Sequence, residues 1–423
     1  MTQLKLFDTE PRSEARPGQL IEFIRNFSEF GQSTIELTTE YLFEGHEHSV
    51  VTFVNEFWTS RQRQAHSLHE VSYRACFKPQ LPRFFITALT APGDFVYDPF
   101  MGRGTALLES ALMGRIPSGC DVNPLSQILL KPRLCPPSLN EIQPRLESFD
   151  LRPAGKLPEE LLVFYHPDTL GQICALKDCL LHRQGNDQLD AIDAWIRMVA
   201  VNRLTGHSPG FFSVYTLPPN QAVSVKSQIR INERRQQTPP RRNVVELILR
   251  KSRSLLKSLD TESEGALMGT SDHSILLTGN SSSTPEIPSE SVALVVTSPP
   301  FLDVVNYAGD NWLRCWFCGI DAESVPISIC RDIEEWQQTM TRVFVELARI
   351  LRPGGHVAFE VGEVRKGKIK LEEAVLPCGM HAGLSPELVL INAQEFTKTA
   401  HCWGVDNQSK GTNTNRIVLF KKI

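Results

Sequence analysis

Two apolar runs, each followed by a loop of restricted conformation, constrain the fold of this chain more than any other sequence feature. The first run, residues 94–98 (DFVYD), leads into PFMGRGT, and the second, Val292–Thr297 (VALVVT), leads into SPPF. Short apolar runs bounded by glycine or proline are typical of buried strands. Residues 105–113 and 334–351 follow them with helical spacing. This alternation predicts an α/β fold in which helices cover a mainly parallel sheet.

Weaker patterns divide the chain into four parts. Further strands are expected at residues 116–121, 275–279, 356–361 and 416–421. Helical patterns occupy residues 158–165, 168–181, 190–204 and 244–259, around a polar, proline-containing stretch at 208–242. We therefore predict a polar lead-in over 1–45, a first half of the α/β domain over 46–130, a mostly helical insertion over 131–270, and a second half over 271–423.

Composition excludes only a few functional classes. The net charge of −4 neither supports nor excludes a polyanionic partner, since a local basic surface is enough to bind one. No apolar run is long enough for a membrane helix, and the N-terminus lacks the pattern of a signal peptide. The ten cysteines have no regular spacing, which is typical of reduced thiols and predicts a cytoplasmic protein. We expect Cys315 and Cys318 to pack in the core, and we expect no metal site.

The loop after the first apolar run has the features of a cofactor-binding turn. Gly102 and Gly104 allow the backbone to turn sharply and to approach a ligand closely. Asp121 stands at the end of the next predicted strand, where an acid is able to accept both ribose hydroxyls of an adenosine. The third glycine of the nicotinamide fingerprint is missing, and no Gly-Lys-Ser/Thr marks a phosphate loop. The pattern therefore favours an adenosine-containing cofactor of another kind.

The loop after the second run is suited to an amino group. Successive prolines fix the backbone and leave carbonyls with no competing N–H nearby, so that with the Ser298 hydroxyl they form a rigid set of acceptors. Accepting the hydrogens of a planar amino group pushes its nitrogen toward a nucleophilic, tetrahedral form. Phe301 offers a face on which a base turned out of a duplex can stack.

Taken together, D-P-F-x-G-x-G-T and T-S-P-P-F resemble the amino-methyltransferases of DNA, which make N4-methylcytosine or N6-methyladenine. The resemblance implies a Rossmann-like methyltransferase sheet, S-adenosylmethionine as cofactor and duplex DNA as partner. Catalysis would then belong to Ser298, Pro299, Pro300 and Phe301. Cofactor binding would belong to Asp98, Phe100, Gly102, Gly104, Thr105 and Asp121.

Two further segments extend this resemblance to about residues 66–125 and 272–421. Residues 69–82 resemble the family segment that covers the methionine end of the cofactor, where Phe77 is the matching position. Residues 276–281 (LLTGNS) resemble the strand that usually ends in Gly-Asp-Ser. Asn280 stands in place of that aspartate and is the expected adenine contact.

The target base and the polymer remain open at the level of sequence. Serine before the two prolines is commoner in enzymes that resemble the cytosine-N4 class, which makes N4 the leading target and adenine N6 the alternative. Methylation at cytosine C5 needs a cysteine nucleophile, and we interpret Cys135-Pro136-Pro137 as an ordinary loop. An RNA amino-methyltransferase is a further alternative. Both a restriction–modification pair with a cognate endonuclease and a solitary enzyme fit this sequence.

A basic stretch in the predicted insertion is the candidate nucleic-acid interface. Residues 221–257 contain ten lysines and arginines against two glutamates, a difference of +8. Clusters of this kind neutralise phosphates and make affinity steeply dependent on salt. The residues assigned to DNA are Lys226, Arg230, Arg234, Arg235, Arg241 and Arg242.

Overall fold

A computed structural model of the 423-residue chain shows the fold. The structure describes residues 20–58, 65–73, 76–153, 155–217, 222–300, 307–326, 330, 332–364, 369–393 and 414–423. Within these ranges no helix is long and apolar enough to cross a membrane.

Nine of the strands in the described residues form a single sheet. In chain order the strands are β1 (Ile35–Phe43), β2 (His46–Asn55), β3 (Phe95–Asp98), β4 (Ile116–Asp121), β5 (Ile275–Thr278), β6 (Val292–Thr297), β7 (Leu351–Val361), β8 (Glu363–Val364), β9 (Ile369–Lys370), β10 (Ser385–Ala393) and β11 (Thr414–Lys421). The spatial order in the large sheet is β1-β2-β10-β11-β7-β6-β3-β4-β5, and β8 pairs with β9 separately.

The helices are numbered in the same way. They are α1 (Leu20–Arg25), α2 (Gln80–Leu89), α3 (Thr105–Leu112), α4 (Leu125–Leu134), α5 (Leu139–Ser148), α6 (Pro167–Gly185), α7 (Ala191–Val201), α8 (Val225–Arg235), α9 (Val244–Leu256), α10 (Thr261–Ser271), α11 (Tyr307–Cys318), α12 (Ile333–Ile350) and α13 (Leu371–His381). Short 3₁₀ turns occur at Ser67–His69 and Glu159–Val163.

The centre of the sheet is parallel, and β3 and β6 are neighbours in it. From β3 the chain moves outward through β4 and β5, then returns to β6 and continues outward on the other side through β7. The crevice at the carboxyl ends of β3 and β6 is therefore the point where the strand order reverses, which is where open α/β sheets bind ligands. This arrangement confirms the predicted Rossmann-like α/β sheet.

Helices cover both faces of this sheet, because neighbouring residues of its buried strands face opposite sides. Val96 packs in a cluster with residues of α1 and α2, whereas Tyr97 packs in a cluster with residues of α12 and α13. A third cluster joins α3 and α4 to the helices that follow them. The helical part therefore shares one apolar core with the cofactor half of the domain.

The N-terminal boundary of the prediction was wrong. The expected lead-in over 1–45 contains α1 and β1, and β1 pairs with β2 across a hairpin at the edge of the sheet. The turn contains Glu44 and Gly45, both with positive φ. Most side chains of β1 are exposed, so the strand lacks the apolar run that marks a buried one.

Two details of the helical part also differ from the sequence-based expectation. The helix predicted over 158–165 is a 3₁₀ turn, and the polar stretch 208–242 contains the regular helix α8. Inward-facing residues of α8 are polar: Gln228 donates to the Tyr215 carbonyl (3.1 Å) and Asn232 donates to the Val163 carbonyl (2.7 Å). A helix docked through amides has no apolar periodicity, which explains why the pattern missed it. Cys315 and Cys318 are buried in α11, as expected.

Candidate functional site

The loop after β3 turns on two glycines in the left-handed region. Gly102 has φ of +49° and Gly104 has φ of +74°. A Cβ on Gly104 would lie 2.7 Å from the Leu130 side chain, so both its conformation and its packing require glycine. Helix α3 begins directly at Thr105, a buried residue whose hydroxyl accepts a hydrogen bond from Arg103 Nε (3.0 Å).

Asp121 holds this loop in place from the end of β4. Its Oδ2 accepts the Gly102 N–H and its Oδ1 accepts the Asn123 N–H, each at 2.8 Å. Burial raises the pKa of Asp121, although both N–H donors oppose that shift. A carboxylate oxygen has two lone pairs, so each oxygen keeps one for a further donor such as a hydroxyl.

The loops after β3, β4 and β5 are tied together. Met101 N–H donates to the Cys120 carbonyl (3.1 Å), and Gly279 N–H donates to the Asp121 carbonyl (3.0 Å). The hydroxyl of Ser281, a buried residue that sequence reasoning did not select, donates to the Pro99 carbonyl. Asn280 is exposed at the rim, where its Oδ1 accepts the Ser282 N–H (3.0 Å).

The two aromatic residues assigned to the cofactor lie on opposite faces of the sheet. Phe77 is half-buried against the cluster that contains α1 and α2, and Phe100 is half-buried against the cluster that contains α12. The Phe100 N–H donates to Asp98 Oδ1 (3.0 Å).

A direct hydrogen bond joins the cofactor loop to the proline loop. Thr297, the last residue of β6, donates through its hydroxyl to Asp98 Oδ1 at 2.6 Å. Both residues are almost completely buried, and burial raises the pKa of Asp98 to about 7. The two loops identified in the sequence therefore start side by side at the carboxyl edge of the sheet.

Within the proline loop, Ser298 has a partner that the sequence did not reveal. Its side chain lies near enough to Glu360 of β7 to counter part of the rise that burial causes in the pKa of that carboxyl group, and Glu360 accepts a hydrogen bond from Asn415 Nδ2. Glu360 is 7% exposed, and burial raises its pKa to about 7. The loop thus presents a hydroxyl beside a buried carboxyl group.

The expectation that both proline carbonyls lack a competing N–H was wrong for one of them. The Pro300 carbonyl accepts a hydrogen bond from the indole Nε1 of Trp336 on α12, at 3.1 Å. Trp336 is 1% exposed, so this contact fixes the end of the loop. Pro299 is buried. Phe301 lies outside the described residues.

The cofactor loop lies within the part of the chain that matches a known family of proteins. The family model N6_N4_Mtase, DNA methylase, matches residues 36–127. The Type II methyltransferase M.MjaII of Methanocaldococcus jannaschii is 34% identical over 74 residues, which are 18% of this chain and 14% of that protein. The Type II methyltransferase M.MvaI of Kocuria varians is 32% identical over 142 residues, 33% of this chain and 27% of that protein.

In the parts of the chain that match, this protein is therefore similar to DNA amino-methyltransferases. The resemblance drawn from the two loops is thereby confirmed. A longer match, to the Type II methyltransferase M.BsoBI of Geobacillus stearothermophilus, is 23% identical over 311 residues and covers 65% of this chain and 57% of that protein. The chain thus spans less than two thirds of the length of each of these relatives.

Among solved structures, geranyl diphosphate C-methyltransferase from Streptomyces coelicolor A3(2) aligns with 81% of this chain and 76% of that one. The identity is 9% and the TM-score is 0.32.

The predicted basic residues lie on and after α8. Arg235 stacks 3.8 Å above the Tyr215 ring, and Arg241 pairs with Asp168 (3.1 Å). All but the half-buried Arg242 are exposed. The exposed ones are Lys226, Arg230, Arg234, Arg235 and Arg241.

The segment that leads into α8 is attached to the helix that follows the proline loop. The Ala222 N–H donates to the Asp310 carbonyl (3.1 Å), and Trp312 Nε1 donates to the Val223 carbonyl (3.3 Å). The Asp310 carbonyl and the Trp312 indole both belong to α11, which begins at Tyr307. The segment that precedes the basic helix therefore contacts the helix that follows the candidate catalytic loop in the chain.

Proposed function

We propose that this protein transfers a methyl group from S-adenosylmethionine to the exocyclic amino group of a base in duplex DNA, with cytosine N4 as the target. The observation that carries this proposal is the 2.6 Å hydrogen bond between Thr297 and Asp98. It places the start of the proline loop beside the start of the glycine loop, at the reversal point of the sheet. Methyl transfer requires that closeness, because the donor and acceptor atoms must come into contact.

The residues present fit the cofactor. Asp121 keeps one lone pair on each oxygen for the two ribose hydroxyls, and the positive φ of Gly102 and Gly104 brings bare backbone toward the same space. Asn280 is exposed at the rim, where it would contact the adenine, and Phe77 is the position matched to the family segment over the methionine end. S-adenosylmethionine, when bound, supplies an electrophilic methyl group on a sulfonium.

The chain's own residues would activate the amino group. With its proton turned toward the nearby Glu360, Ser298 would have its oxygen left to accept a hydrogen from the amino nitrogen, together with the Pro299 carbonyl. As the N–CH₃ bond forms and the S–CH₃ bond breaks, the nitrogen loses one proton. Ionised Glu360 is placed to receive it through the Ser298 hydroxyl. No covalent bond to the protein is needed.

Serine at position 298 supports cytosine N4 over the alternative, adenine N6. The curated relatives are named Type II methyltransferases, which supports a place in a restriction–modification pair with a cognate endonuclease. The exposed basic face of α8, whose preceding segment contacts α11, supports contact with the phosphates of DNA.

Methylated DNA digested to nucleosides and analysed by mass spectrometry tests the proposal. We expect N4-methyldeoxycytidine, whereas N6-methyldeoxyadenosine would move the target to adenine, and modification only of RNA would refute the DNA assignment. Ser298→Ala should lower turnover at least about 100-fold with nearly unchanged cofactor affinity. An equal loss of both would place the chemistry elsewhere.

A further inference from the structure

A cavity of about 450 Å³ lies beside the cofactor loop, on the side toward the helical insertion. The segment 69–73 and Cys76 form one wall, Arg103 of the glycine loop forms another, and Arg203 and Lys251 close it from the insertion. None of the individual residues assigned to the cofactor or to catalysis lines it, although residues 69–73 and Cys76 belong to the segment that resembles the cover of the methionine end. Three of its lining side chains are cationic.

The two arginines are positioned by backbone carbonyls rather than by acids. Arg103 donates to the Val71 carbonyl (2.8 Å), and Arg203 donates to the Asn202 carbonyl (2.8 Å). Arg203 also stacks 4.0 Å above the Phe211 ring. In the described residues neither arginine forms a salt bridge with a carboxylate, although burial lowers the pKa of Arg203 and Glu70 is near enough to oppose that shift.

One carboxylate faces this cavity among the described lining residues, and two lysines share it. Glu70 lies 3.5 Å from Lys251 and 2.9 Å from Lys257. The Lys251 side chain is only 10% exposed. Burial, together with the charge of Arg203, lowers the pKa of Lys251 to about 8. The cavity therefore holds more positive charge than its single acid balances.

Two buried arginines lie behind the wall; Arg133 adds to this excess, whereas Arg314 lies near the carboxylate of Asp310. Arg133 is fully buried and donates to the Leu68 carbonyl (3.2 Å), and Arg314 is 8% exposed and donates to the Ser72 carbonyl (3.1 Å). Within the described part of the chain, no carboxylate pairs with Arg133. Burial lowers the pKa of Arg133 to about 9. An anion in the cavity would lower the electrostatic cost of this arrangement.

The cavity also lies where three functional parts of the chain meet. Arg103 of the cofactor loop and Arg203 and Lys251 of the insertion line the cavity, and Arg314 of the helix after the proline loop contacts its wall through the Ser72 carbonyl. We propose that the cavity binds one phosphodiester group of the DNA strand that carries the target base, with Lys251 and Arg203 as its cationic contacts. The proposal rests on DNA being the substrate, and it adds a phosphate contact separate from the basic face of α8.

The test compares Lys251→Gln with a matched control, Lys422→Gln. Lys422 is also mostly buried and pairs with one glutamate, Glu290, at 3.3 Å, but it lies at the amino edge of the sheet beside the start of β7. Binding of a fluorescent DNA duplex is measured between about 50 and 200 mM salt. Loss of one phosphate contact should reduce the slope of log K against log salt by about 0.9. Lys251→Arg should retain the wild-type slope.

A second measurement does not depend on DNA. Inorganic phosphate should raise the thermal midpoint of the wild type above that in chloride at equal ionic strength, and should not do so for Lys251→Gln. This comparison remains informative even if the variant is less stable, since each protein is its own reference. It also tests the anion site independently of the proposed function. If phosphate stabilises the wild type but the wild type does not bind DNA, the assignment of DNA as substrate is refuted and the anion site is not.

The cofactor's carboxylate is the competing occupant. Titration with S-adenosylmethionine and with 5′-methylthioadenosine, which lacks the amino-acid end, distinguishes it. We expect Lys251→Gln to leave both affinities within about twofold. Weaker binding of S-adenosylmethionine but not of 5′-methylthioadenosine by Lys251→Gln, with an unchanged salt slope, would overturn the proposal. An unchanged salt slope together with unchanged stabilisation by phosphate would also overturn it.

Discussion

Replacing Thr297 by valine should separate the hydrogen bond between the two loops from the packing around it. Valine has nearly the shape of threonine but lacks the hydroxyl that donates to Asp98 at 2.6 Å. Both side chains are buried, so water cannot replace the lost donor. Asp98 would keep only the Phe100 N–H as a partner for that oxygen. Thr297→Ser, which keeps the hydroxyl, is the matched control.

The size of the effect should depend on pH. Burial raises the pKa of Asp98 to about 7, so the folded state loses stability as the pH rises through about 7 and the carboxyl group ionises. A hydrogen bond to a charged group contributes about 1.5–3 kcal/mol, and one between neutral groups about 1 kcal/mol. Thr297→Val should therefore lower the free energy of unfolding by about 2 kcal/mol at pH 8.5 and by about 1 kcal/mol at pH 6.

The assay is thermal unfolding of wild type, Thr297→Val and Thr297→Ser at the two pH values. Unfolding entropy near 2.1 cal/mol/K per residue gives roughly 0.9 kcal/mol/K for a chain of 423 residues. The valine variant should thus melt about 2 °C lower at pH 8.5 and about 1 °C lower at pH 6, while serine stays closer to wild type. An equal drop in the thermal midpoint at both pH values, or an equal drop for the valine and serine variants, would refute a hydrogen bond that is strengthened by the ionisation of Asp98.

Three further predictions concern the cofactor, the proton and the DNA. Asp121→Ala should weaken S-adenosylmethionine binding about 10- to 100-fold in calorimetric titration, since it removes the acceptor for the ribose and frees the Gly102 N–H; unchanged affinity would contradict the assignment. Because burial raises the pKa of Glu360 to about 7, wild-type turnover should rise as pH increases through about 7, and Glu360→Gln should be slower with a flat pH–rate profile; a retained inflection would assign it to another group. Replacing the four C-terminal arginines of the basic segment should reduce the salt slope of DNA binding by about two to four units, and an unchanged slope would place the interface elsewhere. These are Arg234, Arg235, Arg241 and Arg242.

The sequence was sufficient for the strands and loops at the centre of the sheet. A strand buried on both faces needs a continuous apolar run, and the loop after it needs glycine or proline to turn, so β6 lies at the predicted residues and α3 begins at Thr105. The family could be recognised for the same reason: its two motifs are local in the chain. Elements with weaker demands were missed, such as the exposed edge strand β1 and the amide-docked helix α8.

Tertiary structure alone decided which distant residues meet at the site. Thr297 reaches Asp98, Ser298 reaches Glu360, and Trp336 reaches the Pro300 carbonyl only because parallel strands and their covering helix bring them together. No periodicity in the sequence records such contacts, since each partner is an ordinary residue of its own element. Burial then sets the chemistry, because a carboxyl group titrates near pH 7 when the fold removes it from water.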